Sequence, residues 1–290
     1  MKDFLASLWQ RRWLRAVGLV LIFVAILMLH PFLRQTVFGP TIDGIPWCVW
    51  EDEARRQVDR RERSWFAQIL EKVGLSKEGG PGLDIASAAA LPVHIHLAED
   101  SDVKVRRVAL ELLARHAPTH DAETHPVLTR HLNDDDQHCR IAAAQGVWHG
   151  RTDKAGLKVM LAMAENTEGK LAALATMHLA EAARDAPELF DPLAKLTFSE
   201  NKLVRTWAVF AMGHFGPRGV PLLERIMKER DPRMQKFAAR SAARLGEHGA
   251  KLTPVLESLR QSGDPSVIAA ASHALHCIDP KRFPKPAEDD

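Results

Sequence analysis

The feature that most constrains this chain is a pattern repeated six times between Asp102 and Asp279: an acidic or amide residue, an apolar residue at +3, alanine at +7 and another apolar residue at +11. The anchors are Asp102, Asp136, Glu168, Asn201, Asp231 and Asp264, thirty to thirty-four residues apart. A period of that length belongs to stacked helix pairs, each too small to bury its own apolar face, rather than to one globular core. The +3 column runs from Val105 through Cys139 to Val267 and the +11 column from Leu113 through Met212 to Leu275, and both are apolar throughout. The +7 column, from Ala109 to Ala271, is alanine in all six copies. A helix needs so small a side chain where a neighbour crosses closely.

Offsets +3, +7, +10 and +11 trace one stripe of an amphipathic helix, and the anchor is a residue type that caps a helix start. Each unit is therefore expected to end in a helix of about fifteen residues. Proline stands ten residues before four anchors, at Pro92, Pro126, Pro221 and Pro254, with Pro192 one place out of register. Because proline is favoured in the first turn of a helix, these positions predict the start of a shorter first helix. Gly150, Gly216 and Gly246 are expected to close second helices in a left-handed cap.

The stretches DVKVRRVALELL (102–113), NKLVRTWAVFAMGHFG (201–216) and DPRMQKFAARSAARLG (231–246) resemble HEAT repeats, in particular the short bacterial kind also found in phycobilisome lyases. The pattern D-x-x-V-R-x-x-A-x-x-A-L-x-x-x-G is almost complete in the fourth unit, and the resemblance covers about two-thirds of the chain. It implies an all-α fold, a right-handed α-solenoid of about six helix pairs over residues 84–279. In such stacks the arginine at +4, here Arg106, Arg140 and Arg205, pairs with acidic anchors of its own or the adjacent unit. Ala172, Gln235 and Ile268 depart from that column, and the copy from Glu168 to Ala183 is the weakest. Exposed pairs of this kind contribute about 0–1 kcal/mol each, so they set register more than stability.

Ahead of the repeats, Ala16 to Leu29 carries no polar side chain and the apolar run continues to Leu33. Residues 16–33 are predicted to form a transmembrane helix, with a rise of about 27 Å, close to the hydrocarbon thickness of a bilayer. Lys2, Arg11, Arg12 and Arg15 precede the run and Arg34 alone follows within fifteen residues. This asymmetry puts residues 1–15 in the cytoplasm and predicts a single-pass protein of the cytoplasmic membrane with an extracytoplasmic solenoid. A cleaved signal peptide is the rival reading, and the absence of a small-x-small cleavage triplet argues against it. Residues 34–83 are expected to hold a linker and an N-terminal capping helix, with Trp50, Ala54, Val58, Trp65, Ile69 and Val73 on one face. The alternative for Trp47, Cys48 and Trp50 is docking on a partner or on lipid headgroups. Residues 280–290 are expected to be a disordered tail.

The net charge of +2, with both signs interspersed, offers no basic face for nucleic acid. Three cysteines do not build a disulfide framework. Fourteen histidines invite a metal reading. However, His94 and His96 sit two apart on a predicted helix, Pro118 separates His116 from His120, and there is no H-E-x-x-H or zinc-spaced cysteine pair. No metal and no cofactor is expected. Deoxyhypusine hydroxylase, a di-iron enzyme built on similar repeats, holds its iron through His-Glu dipeptides, and this chain contains none. A phycobilin lyase would be soluble and cytoplasmic, against the predicted anchor. There is also no glycine-rich phosphate loop and no G-x-S-x-G.

The expected function is therefore a membrane-anchored, non-catalytic scaffold or protein-interaction module. The alternative class is an exported enzyme, or a metal- or cofactor-binding repeat protein that uses its surface histidines. Offsets +2, +9 and +13 fall away from the core stripe and should line the concave face. At +9 stand Met177, Phe210 and Arg240, and at +13 stand His214 and Arg244. Two apolar side chains at exposed offsets, rimmed by cations, resemble a hot spot for a protein partner.

Overall fold

The computed structural model of the chain describes residues 40–59 and 86–284. The chain divides into two compact units, Met1–His116 and Ala117–Asp290. In the first, two-residue strands β1 (Thr41–Ile42) and β2 (Ile45–Pro46) pair antiparallel across Asp43 and Gly44. Both turn residues have positive φ, 50° and 75°, as a two-residue hairpin matched to strand twist requires. Helix α1 (Trp47–Asp59) follows and packs on α2 (Leu91–Leu97) and α3 (Val103–His116). Cys48, Trp50 and Ala54 are each only 4% exposed, and the Trp50 indole N–H donates to the Ile42 carbonyl at 3.3 Å. Cys48 and Trp50 thus belong to the core of this unit rather than to a docking surface. Trp47 is half-buried, with its ring edge-on to His96 at 5.7 Å. The rest of the expected capping helix, including Trp65, Ile69 and Val73, lies outside the described residues, as do residues 285–290 of the expected tail.

The second unit is a run of alternating helices: α4 (Asp121–Arg130), α5 (Gln137–Arg151), α6 (Lys154–Asn166), α7 (Gly169–Ala182), α8 (Phe190–Leu196), α9 (Lys202–Ala211), α10 (Val220–Met227), α11 (Pro232–Ala242), α12 (Thr253–Leu259) and α13 (Pro265–Ile278). Each first helix packs on its second, and successive second helices α7, α9, α11 and α13 pack on one another, which makes a repeat solenoid-like fold. The alanine column explains how they approach: Ala143, Ala175, Ala208, Ala238 and Ala271 are all 0% exposed. The +11 side chains are buried beside them, and Leu171, in the weakest copy, is the half-buried member of the +3 column.

Asp136, Asn201, Asp231 and Asp264 each accept hydrogen bonds from the first backbone N–H groups of the helix they start. Such a cap contributes about 1 kcal/mol. Glu168 makes no side-chain cap. Instead Asn201 donates across to the Gly169 carbonyl at 2.8 Å and ties the weak copy to the next.

The +4 column also binds the turn that precedes the anchor. Arg106, Arg140 and Gln235 donate to the carbonyls of Asp100, Asp134 and Glu229 at 2.7, 2.5 and 2.7 Å, in each case two residues before the anchor. The column clamps each second helix to its preceding turn, a task an amide performs as well as a guanidinium. Arg205 does approach the next anchor, Asp231, at 3.9 Å.

Three expectations need correction. Pro92, Pro221 and Pro254 open their helices, but Pro126 lies inside α4, which starts five residues earlier. Asp121 and Glu123 occupy that first turn, where acidic side chains favour the helix N-terminus. Gly216 and Gly246 are left-handed, at φ 55° and 52°, whereas Gly150 lies within α5 and Thr152, at φ 53°, takes the left-handed cap. Finally, the single-pass localisation in the cytoplasmic membrane does not stand. Among the described residues no helix is long and apolar enough to cross a membrane. They run from seven to fifteen residues, against about 20 mostly apolar residues for a span. Residues 16–33, on which that expectation rested, lie outside the described residues.

Candidate functional site

Helix α9 carries the centre of the site. Asn201 caps its start, Ala208 faces the crossing, and Trp207 packs against the buried cluster of Ala172, Ala173 and Val204. One turn on from Trp207, Phe210 lies half-buried on the neighbouring part of the helix surface. Three groups surround its ring. Trp207 meets it edge-on at 5.8 Å, His214 at 6.4 Å, and the Arg244 guanidinium lies over its face 3.6 Å from the centroid.

Arg244 comes from the next unit, so something must hold the two units in register. Ser241, fully buried on α11, does this. Its hydroxyl donates toward the carbonyls of Phe210 at 2.7 Å and Val209 at 2.9 Å, and accepts the Gly213 N–H at 3.1 Å. The approach is so close that a Cβ on Gly213 would lie 2.3 Å from the Ser241 carbonyl oxygen. Glycine is needed there for space. Ser241 and Gly213 together place Arg244, three residues further on, above Phe210.

The electrostatics follow from that placement. Partial burial lowers the Arg244 pKa below the ordinary guanidinium value, and the charge of Arg184, in the turn after α7, lowers it further. His214 is likewise held below the usual imidazole value, first by burial and then by Arg244 and Arg184, with Asp185 opposing. One unit earlier, His178 meets the Glu181 carboxylate at 3.1 Å. That bond, ahead of the nearby charge of His149, lowers the Glu181 pKa. His149 lies below its ordinary value, mainly by burial, with Glu181 raising it and His178 lowering it. The +13 column thus holds two coupled groups, His149 with Glu181 and His214 with Arg244. It continues to Cys277, whose sulfur stands 3.6 Å from His273 Nε2.

Of the five residues expected from the sequence, the structure brings Phe210, His214 and Arg244 into one cluster. Met177 is half-buried and Arg240 exposed at the same +9 offset on α7 and α11. Neither makes a described ring, hydrogen-bond or ion-pair contact with the cluster. Sequence reasoning missed Trp207, Arg184, Ser241 and Gly213. Ser241 left a signal, since it and His178 are the polar residues of the buried +10 offset. Arg184 left none, because a turn rather than the helical period places it.

Two clefts among the described residues lie elsewhere. One of about 790 Å³ runs under the C-terminal segment, between Glu247, Glu257, Ile278 and Phe283. Another of about 340 Å³ opens beside Phe198 and Leu196. Among the described residues no group of three or more His, Cys, Asp or Glu side chains is arranged to hold a metal ion.

A family model described as HEAT repeats matches residues 190–276, a segment that includes Phe210, His214, Arg240 and Arg244. The crystal structure of an engineered protein from the Northeast Structural Genomics Consortium is similar with a TM-score of 0.51 and 20% identity, covering 85% of this chain and 78% of that one. A second engineered protein from the same consortium gives a TM-score of 0.49 at 22% identity, over 65% of this chain and 96% of that one. A designed armadillo repeat protein gives 0.45 at 18%, over 65% and 100%. No curated protein matches this chain. At these identities the likeness concerns the fold alone.

Proposed function

We propose that this chain is a non-catalytic helical-repeat scaffold that binds a protein partner on the face formed by Met177, Phe210, His214, Arg240 and Arg244. The observation that carries this reading is the Arg244–Phe210 stack. It is a prebuilt pairing of the residue types that dominate binding hot spots, fixed in place by buried Ser241 and open to solvent on its outer side. Repeat stacks suit the task because each unit contributes one row to an extended surface. The HEAT match over residues 190–276 supports the same reading, since the stack lies within it.

The test is capture of a partner by the immobilised full chain, followed by affinity measurement with Phe210→Ala and Gln145→Ala. Phe210→Ala is expected to weaken binding by about 2 kcal/mol, roughly thirtyfold, with the circular dichroism unchanged. Gln145→Ala, in the same column two units away, should leave affinity as it was. A partner that binds Phe210→Ala as tightly as the parent would overturn the assignment.

A further inference from the structure

We infer that the partner segment taken by this face is acidic, a peptide whose carboxylates are read by Arg244 and Arg184 while an aromatic or aliphatic side chain packs on the exposed edge of Phe210. This rests on the reading of the face as a partner site and adds the chemistry of what it binds.

Two arginine–phenylalanine stacks of the chain differ in their counter-ions. Arg218 lies over the Phe190 ring at 4.1 Å and also faces the Asp191 carboxylate at 3.5 Å. That stack carries its own counter-ion. Arg244 lies over Phe210 at 3.6 Å, yet among the described residues it has no hydrogen bond and no ion pair, and the same is true of Arg184 and Arg240. Stacking occupies the face of a guanidinium and leaves its in-plane N–H donors free, in the fork geometry that matches a carboxylate bidentately.

Nor do nearby acids neutralise the patch. Asp185 is close to His214, and Glu181 is already engaged by His178. Arg240 and Arg244 are four apart on one continuous helical stretch and so share a face. Arg184 and Arg244, with Arg240 one turn before Arg244 and Asp185 the one uncommitted carboxylate near them among the described residues, make a surface that attracts anions. Partly buried Phe210 and Met177 add an apolar floor that a simple inorganic anion would not use. A basic or neutral peptide would leave the arginines unpaired on contact, which favours an acidic one.

A rival stack exists at Phe198, which is 50% exposed under Arg225 at 4.8 Å. It has no described second arginine beside it, and it serves as the internal comparison. The experiment is selection of a random twelve-residue peptide display library on the immobilised full chain, repeated on R184Q/R244Q, F210A and F198A variants of unchanged circular dichroism. The enriched peptides are then synthesised, and their affinities measured at low and high salt. The expected result is enrichment of sequences rich in Asp and Glu around an aromatic or aliphatic residue. Their binding should fall at least tenfold with R184Q/R244Q and with F210A, weaken with salt, and be indifferent to F198A. Apolar peptides that need Phe210 but ignore the arginines would overturn the acidic inference and leave the partner face standing. Peptides indifferent to Phe210, peptides that depend on Phe198 instead, or no enrichment at all would overturn both.

Discussion

Gly213→Ala is the sharpest probe of how the site is built, because it acts on the crossing that sets Arg244 over Phe210. The added Cβ would stand 2.3 Å from the backbone oxygen of Ser241. A carbon–oxygen contact becomes repulsive inside about 3.2 Å, so α9 and α11 must part by about 1 Å. The obstacle is backbone, not the flexible end of a side chain, so no rotamer change relieves it. Overpacking of this kind costs about 1–3 kcal/mol. The separation also stretches the Ser241 bonds to the Gly213 N–H at 3.1 Å and the Phe210 carbonyl at 2.7 Å. Weakening a buried hydrogen bond adds about 1 kcal/mol. Replacing glycine by alanine in a helical segment returns roughly 0.5–1 kcal/mol. The net loss is about 2 kcal/mol, a fall in Tm of about 4–8 °C for a chain this long. The comparison is Gly263→Ala, where no atom lies within 4 Å of the new Cβ and φ is not left-handed. That variant should be neutral, or more stable by up to about 1 kcal/mol. Thermal and urea unfolding of both, followed by circular dichroism, decides the matter. Equal midpoints for the two variants would show that the helices do not cross as described.

Ala208→Leu, at a fully buried crossing, should cost about 1–3 kcal/mol in the same assay, whereas Lys202→Leu on the exposed side of α9 should change little. Asp231→Ala removes a cap that accepts the N–H groups of Arg233 and Met234 and should cost about 1 kcal/mol. Glu168→Ala should cost almost nothing, since no cap bond is lost. His214 should contribute to the pH dependence of stability. Its pKa is lowered in the folded protein by burial and by Arg244 and Arg184. The unfolded chain, with imidazole near pH 6.5, therefore binds the proton more readily, about one pH unit either side of that value. The folded state is favoured above that pH and loses ground as the pH falls through it. His214→Asn should flatten the decline of Tm between pH 7 and 5, and an identical slope would remove His214 from the account. His149, lowered in the same direction, should supply part of the slope that remains.

The repeat was legible in the sequence because it is local. Alanine at +7 and apolar residues at +3 and +11 recur at a helical period, and an Asp or Asn side chain caps the N–H groups two and three residues ahead. None of this needs knowledge of the neighbouring unit. Pro126 and Gly150 were misread for the complementary reason. Proline and glycine allow an end without imposing one, and at both places the acids of the α4 first turn and the Thr152 cap fixed the boundaries elsewhere. The site was half legible. Offsets +9 and +13 located Phe210, His214 and Arg244 on an open face, but not the stack between them, which depends on Ser241 reaching a carbonyl thirty-one residues away. Arg184 sits on a turn, where no period predicts position, and its influence on Arg244 is visible only once the units are stacked.

The proposed function requires that a partner meet this chain on the face of Phe210 and Arg244. The most direct measurement replaces exposed Arg240, beside that stack, with a photo-crosslinking benzoylphenylalanine, and does the same in a second protein at exposed Lys228, at the end of first helix α10. The expected result is a defined crosslinked product from position 240 that disappears when Phe210→Ala is added, and none from position 228. A product from position 228 alone, or one from position 240 that survives Phe210→Ala undiminished, would contradict it.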